Sequence, residues 1–235
     1  MWTIERSNLG RIVIPPHVPP GFAVFCTTID YHGKIIPDEL TSLVRERFGL
    51  DTSLTTCLQI HSATVKRASR EEEWRECDSC DALWTREKGV SLGIKVADCL
   101  PVTMIDPAHS VIADVHSGWR GTVQSITDAT LDALEGETAF DARVAFAYLG
   151  PSIRVCCFEV GEEVAVKFDK RYVDRSDPKP HVDIAAFTMD VLAARGFAEA
   201  RIFDSGLCTR CEGSIFHSYR RQGAGGGRNL AIVAQ

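Results

Sequence analysis

The sequence predicts an α+β protein built on mixed β-sheets. Strand-like runs rich in Val and Ile and segments with helical spacing both occur, but they do not alternate regularly along the chain. The 235 residues are 45% hydrophobic and 25% charged, a balance that supports both a core and a charged surface. No linker, charge block or internal repeat divides the sequence, so we expect a single domain over residues 1–235.

The helical segments are recognised by apolar residues at helical spacing and by residues that cap their ends. Gly49 and Gly196 each follow such a segment, where glycine commonly ends a helix, and Asp183 is a plausible N-cap. Four helices are predicted, over residues 37–48, 122–134, 160–168 and 183–195.

The strand-like segments are enriched in β-branched and apolar residues and are separated by turn signals. Asp106-Pro107 and Gly150-Pro151 are two of these turns. The predicted strands cover residues 56–65, 82–85, 94–105, 111–115, 144–149, 201–203, 216–217 and 230–233.

Three residues of metal-binding types lie in or beside these strands. Cys99 falls within the run 94–105, His116 directly follows 111–115, and His61 lies in 56–65. Two imidazoles and one thiolate form a three-ligand set, the usual protein contribution to a catalytic zinc site with an open fourth position. A structural zinc normally has four protein ligands, so this set favours a catalytic site. Copper would accept the same donors.

Each of the three residues also has a structural interpretation, because a lone Cys or His in an apolar strand is commonly a packing residue. The residues that flank them in the sequence favour a role in metal binding. Asp98 and Asp114 are carboxylates inside apolar runs, where burial is costly unless they are paired. Carboxylates also orient metal-bound imidazoles. After His116, two glycines bracket Trp119 and Arg120, which predicts a tight turn into a helix near the site.

Two further groups of residues are candidates for binding. Cys77 and Cys80 form one C-x-x-C pair and Cys208 and Cys211 another, and two such pairs can close a structural zinc site if the fold brings them together. Incidental or redox-active pairs are the alternative.

Residues 218–229 combine arginines, Arg220 and Arg228 among them, with glycines and Tyr219. The arginines and glycines suit an anion and the aromatic ring an apolar wall, although a solvated loop is the structural alternative.

Charge and composition exclude several other classes of protein. The net charge of −6 disfavours nucleic-acid binding, which normally needs a basic surface. No apolar run approaches the roughly 20 residues that span a bilayer. The first residues contain Glu5 and Arg6 and have no apolar core typical of a signal peptide. With nine cysteines, an odd number, we expect reduced thiols and a cytoplasmic location, with oligomeric state left open.

Five motifs occur in an order that resembles a known family. They are QIHSATV (59–65), ADCLPV (97–102), HSGWRGT (116–122), LGPSIRVCCFEVGEEV (149–164) and FHSYRRQGAGGGRNLAIV (216–233). Together they resemble the YfiH-type or "laccase-domain" family, also called multicopper polyphenol oxidase proteins, over roughly residues 20–235. The resemblance implies a layered sandwich with sheets inside and helices outside. It also implies metal ligation by His61, Cys99 and His116.

The resemblance implies two details elsewhere in the chain. Members usually carry a TR-x-GG motif near the N-terminus, whereas the corresponding stretch here is FCTTID (25–30) followed by Tyr31-His32-Gly33. The arginine of that motif is absent here and one glycine remains. The role of the arginine is therefore unfilled, or another residue supplies it. Adjacent Cys156 and Cys157 are similar to a family feature, and we interpret them as packing residues that at most line the site.

The function predicted from these observations is that of a zinc enzyme acting on purine nucleosides. The family is linked to purine nucleoside phosphorolysis and adenosine deamination, and zinc lowers the pKa of bound water to about 7. Cys99, Asp98 and Arg120 are the predicted catalytic residues. Arg220, Arg228 and Tyr219 are predicted to bind phosphate and nucleoside. Two alternatives stay open, a copper-dependent polyphenol oxidase and a peptidoglycan-precursor amidase using the metal or Cys99.

Overall fold

The fold is seen in a computed structural model that describes residues 1–31, 35–70 and 74–235. The strands are β1 (Thr3–Ser7), β2 (Gly10–Ile14), β3 (Ala23–Thr27), β4 (Ser53–Cys57), β5 (Val65–Arg67), β6 (Trp74–Cys77), β7 (Ala82–Thr85), β8 (Val90–Val96), β9 (Leu100–Asp106), β10 (Val111–Ser117), β11 (Phe146–Leu149), β12 (Val173–Asp174), β13 (His181–Val182), β14 (Ile202–Asp204) and β15 (Asn229–Ala234). The helices are α1 (Pro37–Phe48), α2 (Trp119–Val123), α3 (Ile126–Glu137), α4 (Glu162–Ala165), α5 (Ile184–Ala194) and α6 (Tyr219–Gln222).

Two mixed sheets contain most of these strands. The larger has the order β1-β2-β3-β15-β8-β4-β6, and the smaller has the order β14-β11-β9-β10-β7-β5. Most neighbours are antiparallel, but β4 runs parallel to β6 and β8, β5 to β7, and β11 to β14. The strands β12 and β13 form a separate antiparallel pair.

Apolar side chains fill the space between the two sheets. Alternate residues of β8, including Leu92 and Ile94, share one core cluster with Ile105, Ile112 and Tyr148 of the smaller sheet. Because strand side chains alternate between faces, the other face of each sheet needs its own cover. The sheets therefore pack face to face, with a further apolar layer outside each.

Helices cover these outer faces. On the larger sheet, Leu40 and Val44 of α1 pack against Phe25 and Ile232. On the smaller sheet, α3 and α5 cover a cluster that includes Met104 and Val115. The expected α+β sandwich, with mixed sheets inside and helices outside, is confirmed by this arrangement. No helix in the described part of the chain is long and apolar enough to cross a membrane.

Two predicted helix ends are confirmed. The helix α1 has the predicted bounds and ends at Gly49, whose φ of 72° is in the left-handed region that glycine favours. In α5, the Asp183 carboxylate accepts a hydrogen bond from the Ala186 N–H at 2.9 Å, so Asp183 is the N-cap.

The prediction of one continuous strand over 94–105 is wrong. The run is divided between the two sheets, and this division shapes the site. Residues up to Val96 belong to β8 in the larger sheet, whereas β9 starts at Leu100 in the smaller sheet. Between them, Asp98 has a φ of 88°, a left-handed conformation that a continuous strand does not adopt. The chain therefore crosses from one sheet to the other at residues 97–99.

Other predicted elements also need correction. The run 56–65 is interrupted by a turn at His61, whose φ is 60°, and the helix over 122–134 is divided into α2 and α3 at Ser125, whose φ is 63°. Residues 216–217 form no strand because the His217 N–H bonds to the Asn229 side chain instead of a neighbouring strand. The strands β1, β2 and β3 were not predicted.

Candidate metal centre

The three predicted ligand residues converge at one end of the sandwich. The nearest ligand atoms of His61, Cys99 and His116 all lie within 4.8 Å of one another. The Cys99 Sγ is 3.9 Å from the His61 Nε2, and the two imidazole rings meet edge to face with centroids 4.8 Å apart. The structure therefore joins a thiol and two imidazoles in one cluster.

Each ligand comes from a different part of the fold. His116 stands near the end of β10, opposite Pro101 of β9. Cys99 closes the crossing between the two sheets, and His61 occupies the turn between β4 and β5. A cluster assembled from three distant segments needs a fixed scaffold, which the paired strands supply.

Asp81 connects two of these segments, and the sequence analysis did not identify it. Its Oδ1 accepts a hydrogen bond from the His116 Nδ1 at 2.8 Å, which turns the Nε2 of that imidazole toward Cys99. Its carboxylate also accepts the backbone N–H groups of residues 60, 61 and 62 at 3.2, 2.9 and 2.7 Å. The available sequence signal was a carboxylate immediately before the buried strand β7.

The electrostatics of the cluster favour the ligand form of Cys99. Burial opposes ionisation of its thiol, but hydrogen bonds with His116 and His61 lower the pKa of Cys99 to about 6. Burial also opposes charge on His116, but Asp81 and Cys99 raise the pKa of that imidazole to about 9. The pKa of Asp81 lies well below its usual range because hydrogen bonds from His116 and Ser62 outweigh the effect of burial. Metals bind the thiolate, so the cluster holds Cys99 in a suitable state.

The space inside the cluster fits an ion. A Cβ added to Gly118 would stand 3.0 Å from the Cys99 Sγ and 3.1 Å from the His61 Cδ2. Only a residue without a side chain leaves the cluster open at this point. A thiolate and two imidazoles are suitable donors for zinc or copper, so the residues present fit a metal.

A cavity of about 660 Å³ lies directly beside the three ligands. This volume is within the range of small-molecule sites. Its apolar and aromatic lining residues are Leu58, Ala97, Trp119, Ile153, Phe158 and Tyr219. Its cationic lining residues are Lys95, Arg120, Arg220 and Arg228. The cavity thus offers both an apolar wall and positive charge.

The structure places all three predicted arginines at this cavity. The Arg120 guanidinium stacks on the Trp119 ring at 4.3 Å. Arg220 donates to the Glu159 carbonyl at 2.9 Å, and Arg228 donates to the Gly226 and Gly227 carbonyls, each at 2.9 Å. The prediction omitted Lys95, which pairs with Glu76 at 2.8 Å.

Tyr219 and Asp98 also line the cavity, but they differ in exposure and contacts. Tyr219 is half exposed at the start of α6, 6.0 Å from the Arg228 guanidinium. Both oxygens of Asp98 accept short hydrogen bonds, one from the Thr209 hydroxyl and one from the Arg220 N–H, each at 2.6 Å. Asp98 therefore ties two C-terminal segments to the crossing that carries Cys99.

Asp114 faces a different environment from the one its sequence flank suggested. It is fully buried, and its Oδ1 accepts from the Thr103 hydroxyl at 3.0 Å. Burial raises the pKa of its carboxyl well above the usual value.

The stretch that replaces the TR-x-GG motif is only partly described by the structure. Its residues 25–27 lie in β3, while His32 and Gly33 are outside the described residues.

The two C-x-x-C pairs do not come together. Cys77 is the register partner of Cys57 on the neighbouring strand, and both are buried with Cys80 in the core between the sheets. Cys208 and Cys211 instead lie beside Cys156 and Cys157. The shared zinc site that the sequence left possible is therefore not formed, because strand pairing carries the first pair into the core.

The fold and site define an α+β protein of two mixed sheets, with a His₂Cys cluster beside a cationic cavity. The chain belongs to the family described as multi-copper polyphenol oxidoreductase laccase, whose sequence profile matches residues 38–235. This membership agrees with the resemblance carried by the five motifs.

Two curated relatives and one solved structure illustrate the similarity. "Adenosine deaminase RL5", from an unknown prokaryotic organism, is 37% identical over 223 residues, covering 87% of this chain and 84% of that protein. A "Purine nucleoside phosphorylase" of Bacteroides thetaiotaomicron is 35% identical over 206 residues, covering 84% of this chain and 74% of that protein. The crystal structure of YlmD from Geobacillus stearothermophilus has a TM-score of 0.82 at 22% identity, covering 99% of this chain and 98% of that one. That likeness shows the fold alone.

Proposed function

We propose that the protein is a zinc-dependent enzyme that cleaves adenosine- or inosine-type nucleosides with phosphate and also deaminates adenosine. The observation that carries the proposal is the cavity of about 660 Å³ in which the His₂Cys cluster, an aromatic wall and four cationic side chains meet. The relatives named adenosine deaminase and purine nucleoside phosphorylase support the same substrate class.

His61, Cys99 and His116 would hold the metal through two imidazoles and a thiolate. Three protein ligands leave a coordination position for water or substrate, as in catalytic zinc sites. When bound, zinc supplies Lewis-acid activation of a water molecule or a substrate oxygen. With a metal bound, Asp81 would accept the Nδ1 proton of His116 and so leave the Nε2 of that imidazole as the ligand atom.

The arginines would bind the phosphate co-substrate, because a guanidinium offers paired donors to phosphate oxygens. Trp119 and Phe158 supply an apolar wall for the purine. In phosphorolysis, a phosphate oxygen bonds to the ribose anomeric carbon as the bond to the purine nitrogen breaks, and the purine takes the electron pair. Arg120 would stabilise the phosphate charge in this step. We assign Asp98 a positioning role, because both its oxygens already accept hydrogen bonds.

Hydrolytic deamination would use the same cavity with water in place of phosphate. Water adds at C6 of adenosine, ammonia leaves, and inosine is the product. The name of the relative at 37% identity favours this second reaction. The cationic side chains favour phosphorolysis, since deamination involves no anionic co-substrate.

Product analysis with and without phosphate separates the two reactions. Zinc-loaded protein would be incubated with adenosine and with inosine, and bases, nucleosides and ribose 1-phosphate would be separated by chromatography. Phosphorolysis releases the free base and ribose 1-phosphate only when phosphate is present. Deamination converts adenosine to inosine in both conditions. Absence of both products would refute the proposal.

A further inference from the structure

We propose that Cys156, Cys157, Cys208 and Cys211 form a second metal site that binds one structural zinc ion through four thiolates. In the described part of the chain their four sulfur atoms lie within 4.8 Å of one another. The Cys157 and Cys211 sulfurs are 3.4 Å apart, and those of Cys156 and Cys211 are 3.8 Å apart. This cluster is separate from the His₂Cys cluster and shares no residue with it.

The sulfur spacing is that of atoms around a common ion. With zinc–sulfur bonds of about 2.3 Å, the sulfurs of a tetrahedral site are about 3.8 Å apart. The sulfurs of a disulfide are only about 2.05 Å apart. The observed separations of 3.4 and 3.8 Å are close to the first spacing and far from the second. Small adjustments of four side chains would therefore complete a tetrahedron.

Backbone pairing brings the two halves of the cluster together. Ser152 and Cys208 form a parallel β-bridge, in which the Thr209 N–H donates to the Ser152 carbonyl at 3.0 Å. The Ser152 N–H donates to the Leu207 carbonyl at 3.2 Å. The C-x-x-C half has the short ligand spacing common in structural zinc sites. The fold thus holds one closely spaced cysteine pair beside another.

Core packing accounts for Cys157 and Cys208 but not for Cys156 and Cys211. Cys157 and Cys208 are buried, but Cys156 and Cys211 are exposed. The packing role predicted for Cys156 is therefore wrong, because an exposed thiol contributes little to a core. The exposed edge also gives an ion a route into the cluster.

Neighbouring groups suit a site with excess negative charge. Four thiolates around a zinc ion carry a net charge of −2. Arg210, inside the C-x-x-C segment, carries a positive charge between Cys208 and Cys211. A cation so near the ligands offsets part of the negative charge of the site.

The site would brace one wall of the cavity. Thr209, inside the C-x-x-C segment, donates to Asp98 at 2.6 Å, next to Cys99. Ile153 and Phe158, on either side of the adjacent cysteines, line the cavity. A site closed by four protein ligands leaves no position for substrate, so we assign it a structural role. Zinc would tie the segment 152–158 to the segment 207–211.

Zinc counting in variants tests this site independently of enzyme activity. Zinc per chain would be measured by mass spectrometry in protein purified under reducing conditions with no added metal. In Cys99→Ala protein, where the other cluster has lost its thiolate, we expect one zinc ion per chain. Adding Cys156→Ser and Cys211→Ser should remove it. Both added changes are at exposed positions, so the fold should survive, and circular dichroism would verify this.

A matched control removes a cysteine outside both clusters. Cys26→Ala in the Cys99→Ala background should keep the zinc, because Cys26 is buried in the larger sheet. Cobalt(II) added to zinc-free Cys99→Ala protein should give thiolate-to-metal charge-transfer bands, which the exposed serine pair should abolish. Undiminished zinc in the serine variant, no zinc uptake by folded Cys99→Ala protein, or a Cys157–Cys211 disulfide in reduced preparations would each overturn the proposal.

Discussion

The Oδ1 of Asp81 lies 2.8 Å from the Nδ1 of His116, with both side chains buried. The same carboxylate accepts three successive backbone N–H groups in the turn that contains His61. A single carboxylate therefore orients one imidazole directly and fixes the turn that carries the other. Its position explains how residues so distant in sequence meet in a defined geometry.

We expect Asp81→Asn to weaken zinc binding by about 10–100-fold, the usual effect of losing a carboxylate that orients a metal-bound imidazole. The amide would retain one acceptor oxygen, so part of the backbone hydrogen bonding would be lost at a cost of about 1–3 kcal/mol. Competition with a zinc chelator measures the affinity. Asp114→Asn is the matched control, since Asp114 is also buried but bonds to Thr103. Equal affinity losses in both variants would contradict the assignment.

Gly118→Ala tests the space inside the cluster. The added Cβ would stand 3.0 Å from the Cys99 Sγ, closer than the roughly 3.5–4.0 Å of favourable contacts. Overpacking of this kind costs about 1–3 kcal/mol, so we expect zinc affinity to fall by roughly tenfold or more. The measurement is zinc titration by calorimetry.

Gly136→Ala is the control for that substitution, because a Cβ at Gly136, in α3, meets nothing within 4 Å. It should bind zinc normally and be more stable by about 0.5–1 kcal/mol, the helix preference for Ala over Gly. Normal zinc affinity in Gly118→Ala protein would show that the cluster does not enclose the ion.

The residues of the candidate site were more predictable than the backbone that carries them. Side-chain chemistry identified His61, Cys99 and His116, because thiolate and imidazole are characteristic metal donors. The crossing at Asp98 was missed because residues 94–105 read as one apolar run whether they occupy one sheet or two. Whether such a run stays in one sheet depends on partners distant in sequence.

Long-range pairing also explains the other differences. Asp81 acts through residues 19 to 35 positions away, which local spacing does not reveal. Whether the two C-x-x-C pairs meet was left open, because C-x-x-C spacing indicates a possible half-site but not its partner. β3 was overlooked although all five of its residues are buried, since short buried strands lack an alternating pattern. The single-domain assignment stays a prediction.

The arginines of the cavity should contribute unequally to phosphate use. A charge-assisted hydrogen bond contributes about 1.5–3 kcal/mol, so losing one should raise the phosphate KM by roughly tenfold or more. Arg120→Ala should have the largest effect, because the Arg220 and Arg228 guanidinium groups already donate to backbone carbonyls. Steady-state kinetics at varied phosphate measure this.

Arg143→Ala is the control, as this exposed arginine pairs with Asp141 and does not line the cavity. Its phosphate KM should match that of the unaltered protein. An unchanged KM in Arg120→Ala, Arg220→Ala and Arg228→Ala would count against phosphorolysis and favour hydrolysis.

Copper-loaded protein should oxidise phenols only slowly. A thiolate–imidazole set accepts copper, but reduction of oxygen by a multicopper centre needs many histidine ligands. The sequence has seven histidines, and in the described part of the chain the His₂Cys cluster joins only two of them. Oxygen uptake with a phenol, compared with nucleoside turnover by the zinc form, measures the ratio. If the copper form oxidised phenols faster than the zinc form turned over nucleosides, oxidase activity would rank above nucleoside activity.

The most direct test compares unaltered, Cys99→Ala and His116→Ala proteins for zinc content and for turnover of adenosine with phosphate. Because the large core does not depend on this site, both variants should fold. Each should contain one zinc ion fewer per chain than the unaltered protein and form neither adenine nor inosine. Folded variants that retain full zinc content and activity would contradict the proposed centre.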